Sequence, residues 1–346
     1  MNSKRRRILV FGYFGYRNNQ LDGQTVKTRA VYELVKERYD GKVTFADSQE
    51  FRHNIKSIVS LFKNISKCTT LLWLPAHNNL KFLFPFVWLG SKIFGYDVIY
   101  IVIGGWLSKF LEKLPFHRNK LRTIKAILLE NKLAKEELSS QYGFENLDII
   151  PNFRETSPKP GPSAVNGTLR LVFMARINKM KGLDTIAEVA SRIAAERYDI
   201  TIDFYGPIHE ADGEYFRHEL IERFDFINYR GVLQPSDIYS TLLTYDVMLF
   251  PTHYYTEGFP GSIMDAYRSA VPVIATGWKH AREFVVDGES GFIVDFEHPA
   301  DGMFEAIEGL YNDRDLLAHM KDNAYHESLK YSPNRTWNIL NKYLNN

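Results

Sequence analysis

Two carboxylates, Glu257 and Asp265, stand eight positions apart in PTHYYTEGFPGSIMDAYRSAVPVIATG, Pro251 to Gly277. Between them run Gly258, Phe259, Pro260, Gly261 and Ser262. The apolar run YDVMLF leads into this loop, and an amphipathic pattern follows it, so the segment predicts strand, loop and helix. Glycines at a helix start let backbone N–H groups approach an anion, and the helix dipole favours negative charge there. A diphosphate suits that end of a helix, and carboxylates accept hydrogen bonds from the paired hydroxyls of a sugar ring or a ribose. The simpler alternative is an acidic first turn that only balances the dipole.

The elements that must position these residues alternate along the chain. At 346 residues the chain fits two α/β domains, and its 45% apolar and 24% charged content is that of an ordinary globular protein. Apolar runs predict strands near 7–12, 43–48, 70–75, 98–103, 124–129 and 146–150, with helical patterns between most of them. Asn152 to Thr168 is rich in Pro, Ser and Gly and has no apolar period. We place a linker at 156–168, between an N-terminal domain, 1–155, and a C-terminal domain, 169–330. The second domain predicts strands at 169–174, 200–204, 227–230, 246–250, 272–275 and 291–294. Its helices are expected near 181–196, 211–224, 235–243, 261–270, 300–311 and 314–329. Residues 331–346 read as a last amphipathic helix that could pack back on the first domain. In parallel sheets covered by helices on both faces, ligands bind beyond the carboxyl ends of the strands.

With those residues in view, the segment holding Glu257 and Asp265 resembles the E-x7-E region of retaining glycosyltransferases of family 4, glycogen-synthase-like enzymes of the GT-B fold. Asp265 is one methylene shorter than the usual second glutamate. LRLVFMARINKMKGLD, Leu169 to Asp184, resembles the family's strand-Gly-Arg-x4-Lys-Gly segment, with Ala175 in place of glycine. The resemblance implies two Rossmann-like β/α/β domains facing a central cleft. It implies that Glu257 contacts the donor sugar, Asp265 the nucleotide ribose, and Arg176 and Lys181 the donor diphosphate. FYGP, with Gly206, resembles the strand-end glycine segment, and Val232 and Leu233 fall in the family's base-facing loop. Gly23 and Gln24, at a helix start in the N-terminal half, match the loop that meets the donor phosphates from the other domain. The family histidine after the strand IYIVIGGW is replaced here by Gly104 and Gly105, and His77 is a candidate substitute. A solvated loop histidine is the plain alternative for His77.

Other constellations are weaker. The stretch after the first strand lacks G-x-G-x-x-G, which disfavours NAD. Asp313 and Asp315 fit helix capping, the histidines lack metal-ligand spacing and Cys68 is a single cysteine, so no metal and no cofactor are expected. The N-terminus reads as a strand rather than a signal peptide, and no run is apolar enough to span a bilayer, which fits a cytoplasmic location. Met1 to Glu155 carries 25 Lys+Arg against 14 Asp+Glu, although the whole chain is only +2. Between Lys81 and Arg122, aromatic and basic residues interleave, which suits anionic headgroups or a polyprenyl-diphosphate acceptor. A solvated basic surface is the plain alternative, and no nucleic-acid partner is expected.

The reading that follows is a retaining, metal-independent transferase. It moves a hexose or N-acetylhexosamine from a nucleoside-diphosphate sugar, expected to be a UDP-sugar, to a saccharide or lipid-linked saccharide in cell-surface polysaccharide synthesis. Peripheral contact with an anionic membrane at its inner face is a further expectation. The rivals are an epimerase or phosphorylase of the same fold and a non-enzymatic two-domain sugar-binding protein.

Overall fold

The computed structural model describes residues 7–18, 20, 22–52, 55–155, 157–161 and 167–345. Thr156 and residues 162–166 of the expected linker lie outside them. The chain divides into two compact units, Met1–Phe153 with Pro333–Asn346, and Arg154–Ser332.

The first unit is a six-stranded parallel sheet of β1 (Arg7–Gly12), β2 (Lys42–Asp47), β3 (Thr70–Leu74), β4 (Asp97–Ile101), β5 (Ala126–Leu129) and β6 (Leu147–Ile149). The spatial order is β2-β1-β3-β4-β5-β6. Both faces of β1 are buried, Leu9 and Phe11 in one apolar cluster and Ile8 and Val10 in the other. That is why β1 is an unbroken apolar run rather than an alternating one. Asp22 and Thr25 form a reciprocal capping box that starts the helix Gly23–Arg38. The last helix, Pro333–Asn345, buries Leu340 and Leu344 in the same cluster as Ile8 and Val10. Its Tyr343 hydroxyl donates to Asp148 at 3.1 Å.

The second unit repeats the architecture with β7 (Leu169–Met174), β8 (Ile200–Tyr205), β9 (Ile227–Tyr229), β10 (Val247–Phe250), β11 (Val273–Thr276) and β12 (Gly291–Val294). All its pairings are parallel, in the order β12-β11-β10-β7-β8-β9. One cluster, with Leu171 and Phe173, covers one face, and another, with Val172 and Met248, covers the other. The chain runs outward from β7 to β9, then returns to the opposite side of β7 with β10. The loops leaving β7 and β10 therefore diverge at a topological switch point, where open α/β sheets bind ligands. The first sheet has its own switch point between β1 and β3.

All twelve strands lie where apolar runs predicted them, within about two residues at either end. Helices depart more. The pattern at 211–224 resolves into a 3-10 turn, a short α-helix and a π-turn, Glu210–Ile221. The helix expected from 181 begins at Leu183, because Gly182 has φ +86° and ends a separate 3-10 turn, Lys179–Lys181. Lys181 thus lies in a tight turn rather than on a helix.

The fully buried Leu340 side chain ties the last helix to the first unit. Leu340→Ala should destabilise that unit by about 2–5 kcal/mol, read by urea unfolding. A loss below about 1 kcal/mol would show that the helix is not part of that core.

Candidate active site

The switch point of the second sheet is built by two loops 76 residues apart in sequence. The first leaves β7 through Arg176 and the turn Lys179–Lys181. The second leaves β10 through Pro251, Thr252 and Glu257 to the helix Gly261–Arg268. They are stitched together at several points. The His253 amide donates to the Met180 carbonyl at 3.0 Å, and the His253 ring is 2.9 Å from Asp184. Gly182 packs so tightly that a Cβ there would lie 2.0 Å from the Pro251 carbonyl oxygen. Only glycine fits both that space and the left-handed backbone.

This stitching brings Lys181 Nζ within 2.6 Å of Glu257 Oε2. The Thr252 hydroxyl donates to the same carboxylate oxygen at 3.3 Å. The ammonium also lies 4.9 Å from the Tyr254 ring centroid, a cation–π distance. Both members of the pair are largely buried, so their attraction is less screened than that of a surface pair. Arg176 is exposed on the same loop as Lys181. Gly206 closes the neighbouring turn after β8: a Cβ there would lie 1.9 Å from the Ala175 carbonyl oxygen.

The helix Gly261–Arg268 begins after Pro260 without a side-chain cap, so its first N–H groups are left to other partners. Gly258 and Pro260 are buried and Ser262 is half-buried. The Phe259 ring belongs to the core, stacked on Phe284 at 4.0 Å. Val232 is exposed, while Leu233 is partly buried against the cluster that holds Phe259.

Asp265, on the inward side of this helix, has a partner that the sequence patterns do not indicate. Arg154 Nε donates to Asp265 Oδ1 at 2.7 Å and Arg154 Nη2 to Oδ2 at 3.2 Å. The fork geometry is bidentate, the strong form of a guanidinium–carboxylate contact. Burial alone would lower the Arg154 pKa, but the Asp265 carboxylate outweighs it, and the net shift is upward. Arg154 also abuts the helix start, since a Cβ on Gly261 would lie 2.8 Å from Nη2. Arg154 falls one residue past the buried Phe153, in a stretch with no apolar period, so nothing local singles it out.

In the first unit, the Gln24 side chain donates to the Leu74 carbonyl at 3.0 Å, joining the first turn of the helix Gly23–Arg38 to the end of β3. Gly23 is exposed at that helix start. His77 opens the helix His77–Phe94 and packs its ring 5.0 Å from Trp106 and 4.7 Å from Phe110. The Gly104 amide donates to Glu130 Oε2 at 3.0 Å, and Glu130 pairs with the buried Lys27 at 2.7 Å. Burial pushes the Lys27 pKa down, against the pull of Glu130. Among the described residues, no three His, Cys, Asp or Glu side chains cluster as a metal site.

Residues 158–327 match the family model described as glycosyl transferases group 1. The capsular polysaccharide biosynthesis glycosyltransferase CapM of Staphylococcus aureus is 26% identical over 64% of this chain and 59% of its own length. A D-inositol 3-phosphate glycosyltransferase of Paenarthrobacter aurescens is 25% identical over 51% of this chain and 47% of its own. The chain therefore spans about half the length of the curated relatives it matches. Among solved structures, HepE of Anabaena in complex with UDP-glucose superposes with a TM-score of 0.73 at 15% identity, over 98% of this chain and 99% of that one. At that identity the likeness shows the fold.

Asp265→Asn removes the charge that balances a largely buried guanidinium. It should cost the second unit about 3 kcal/mol in denaturant unfolding. Adding Arg154→Met to that variant should restore part of the loss, and an additive double variant would show that the two side chains do not form a coupled pair.

Proposed function

We propose that this GT-B glycosyltransferase, whose C-terminal unit belongs to the glycosyl transferases group 1, moves a hexose or N-acetylhexosamine from a UDP-sugar to a saccharide or lipid-linked saccharide acceptor. The observation that carries this reading is the 2.6 Å contact between Lys181 and Glu257. It joins the two switch-point loops just ahead of the helix that starts at Gly261. The UDP-glucose held by Anabaena HepE supports the choice of donor. The part that the Staphylococcus aureus relative plays in capsular polysaccharide biosynthesis supports the choice of product.

In this reading the diphosphate meets Lys181, Arg176 and the uncapped N–H groups of the helix Gly261–Arg268. Positive charge fixed in place before reaction stabilises the departing UDP as negative charge builds on its terminal phosphate. These groups supply the electrostatic work a divalent ion would otherwise do, so the reaction is read as metal-independent. Glu257 accepts hydrogen bonds from sugar hydroxyls, and its pairing with Lys181 keeps it oriented. Asp265, held by Arg154, keeps a second lone pair on each oxygen for the ribose diol. Val232 and Leu233 line the base. No carboxylate acts as nucleophile, and the anomeric configuration is retained. The basic N-terminal unit makes peripheral contact with an anionic membrane at its cytoplasmic face.

UDP titrated by calorimetry should bind the wild type, and Arg176→Ala with Lys181→Ala should weaken it at least tenfold, about 1.5 kcal/mol or more. Unchanged affinity would remove the diphosphate assignment. Glu257→Gln should lower turnover at least about tenfold while UDP affinity changes little. Wild-type turnover in Glu257→Gln would overturn the site, and loss of turnover in excess EDTA would overturn metal independence.

A further inference from the structure

The helix His77–Phe94 is apolar on two opposite sides. Leu80, Phe84 and Val87 face inward and are buried in the core. On the other side Phe82, Phe86, Leu89 and Ile93 are exposed by 63%, 61%, 50% and 65%. Their spacings of four, three and four residues keep them within about 60° of one line on the helix. The stripe is about 16 Å long. A helix that is apolar all round is normally buried, and this one leaves two phenylalanines and two aliphatic side chains in water. Isolated exposed apolar residues need no explanation, but a continuous row marks an interaction site.

Two other helices over the same sheet face also expose apolar side chains, and the stretch that holds all three is basic. Val59 and Phe62 on the helix Ile55–Ile65, and Phe116 on the helix Pro115–Leu121, are also exposed. All three helices bury their inner sides in the same cluster over one face of the first sheet. From Ile55 to Lys125 the sequence holds 11 Lys+Arg and only two acidic residues, Asp97 and Glu112. Asp97 is already paired with Lys125 at 2.8 Å. Lys81 and Lys92 are exposed on one flank of the apolar row. Lys120 sits 4.5 Å over the Trp88 ring, beside Phe116.

The surface is also held rigid. Pro85 lacks the N–H that would bond the Lys81 carbonyl four residues back. His117 Nε2 donates to that oxygen instead, at 3.0 Å, and Trp88 Nε1 donates to Thr123 at 2.9 Å. The helix His77–Phe94 is thereby tied to His117 of the helix Pro115–Leu121 and to Thr123 just beyond it. No helix among the described residues is long and apolar enough to cross a membrane, so the contact this surface suits is a lateral one.

We propose that Phe82, Phe86, Leu89 and Ile93 insert into the headgroup–acyl boundary of an anionic bilayer, with Lys81, Lys92 and Lys120 against its lipid phosphates. Charge complementarity points to the lipid, because the row is bordered by Lys81, Lys92 and Lys120 while one of the two acidic residues between Ile55 and Lys125 is already paired. This deepens the peripheral reading given above and does not depend on the donor chemistry. Apolar insertion and electrostatic attraction add, so binding should respond to both lipid charge and salt.

Flotation tests it, using vesicles of phosphatidylcholine alone or with about one third phosphatidylglycerol, at about 0.05 M and about 0.5 M salt. Wild type should float with the anionic vesicles at low salt and at least about tenfold less with neutral ones. Phe82→Ser with Phe86→Ser should lose binding at both salts, and Lys81→Glu with Lys92→Glu should lose the salt-sensitive part. All these side chains are exposed, so unfolding is not expected, and urea unfolding of each variant beside wild type checks directly that the first unit is intact. The proposal is overturned if wild type does not float at low salt or if the phenylalanine variant floats normally. It is equally overturned if the row proves to mediate dimers in vesicle-free buffer while flotation is unchanged by its substitution.

Discussion

The parallel pairing of β7 with β10, Leu171 against Val247 and Val172 against Met248, is the constraint on which the C-terminal site depends. Neither strand carries a functional residue. Their adjacency makes two loops from distant parts of the chain leave the sheet side by side, and Gly182 against Pro251 sets how closely they approach. A turn residue and a loop carboxylate then meet as an ion pair. Preorganisation of this kind lets fixed charge act on a developing charge without rearrangement.

The second carboxylate is held by an arginine far away in sequence. Arg154 meets Asp265 with two donors, one to each carboxylate oxygen. A buried pair of this kind adds little net stability beyond an apolar equivalent, but each member makes loss of the other costly. Its effect is on position: Arg154 ties the first residue of the C-terminal unit to the helix Gly261–Arg268, and it contacts that helix at its start.

The N-terminal unit uses its polar residues differently. Lys27 and Glu130 are buried together, and Glu130 also accepts from the Gly104 amide. The pair therefore links the helix after β1, the end of β5 and the loop after β4. Outside the core, the same unit keeps an apolar row and a basic surround on the helices over one face of its sheet. Core and surface thus draw on the same aromatic-rich stretch, Lys81 to Arg122, with helix periodicity deciding which ring goes where.

The strand pattern and the doubling of an α/β architecture were legible in the sequence, and so were the two strand-to-loop segments on which Arg176, Lys181, Glu257 and Asp265 lie. These were legible because they rest on local features: apolar runs between turns, glycines at a helix start, and charged residues at fixed spacing. Tertiary structure decided what those residues touch. Nothing local announces that Lys181 reaches Glu257, that Arg154 occupies Asp265, or that a separate turn ends at Gly182, since each depends on strand order or on a carbonyl far away in sequence. The same holds for the exposed row. Composition marked the stretch as aromatic and basic, but Phe82 and Phe84 differ only in the side of the helix they occupy, and packing of that helix on the sheet sends one into the core and the other into water.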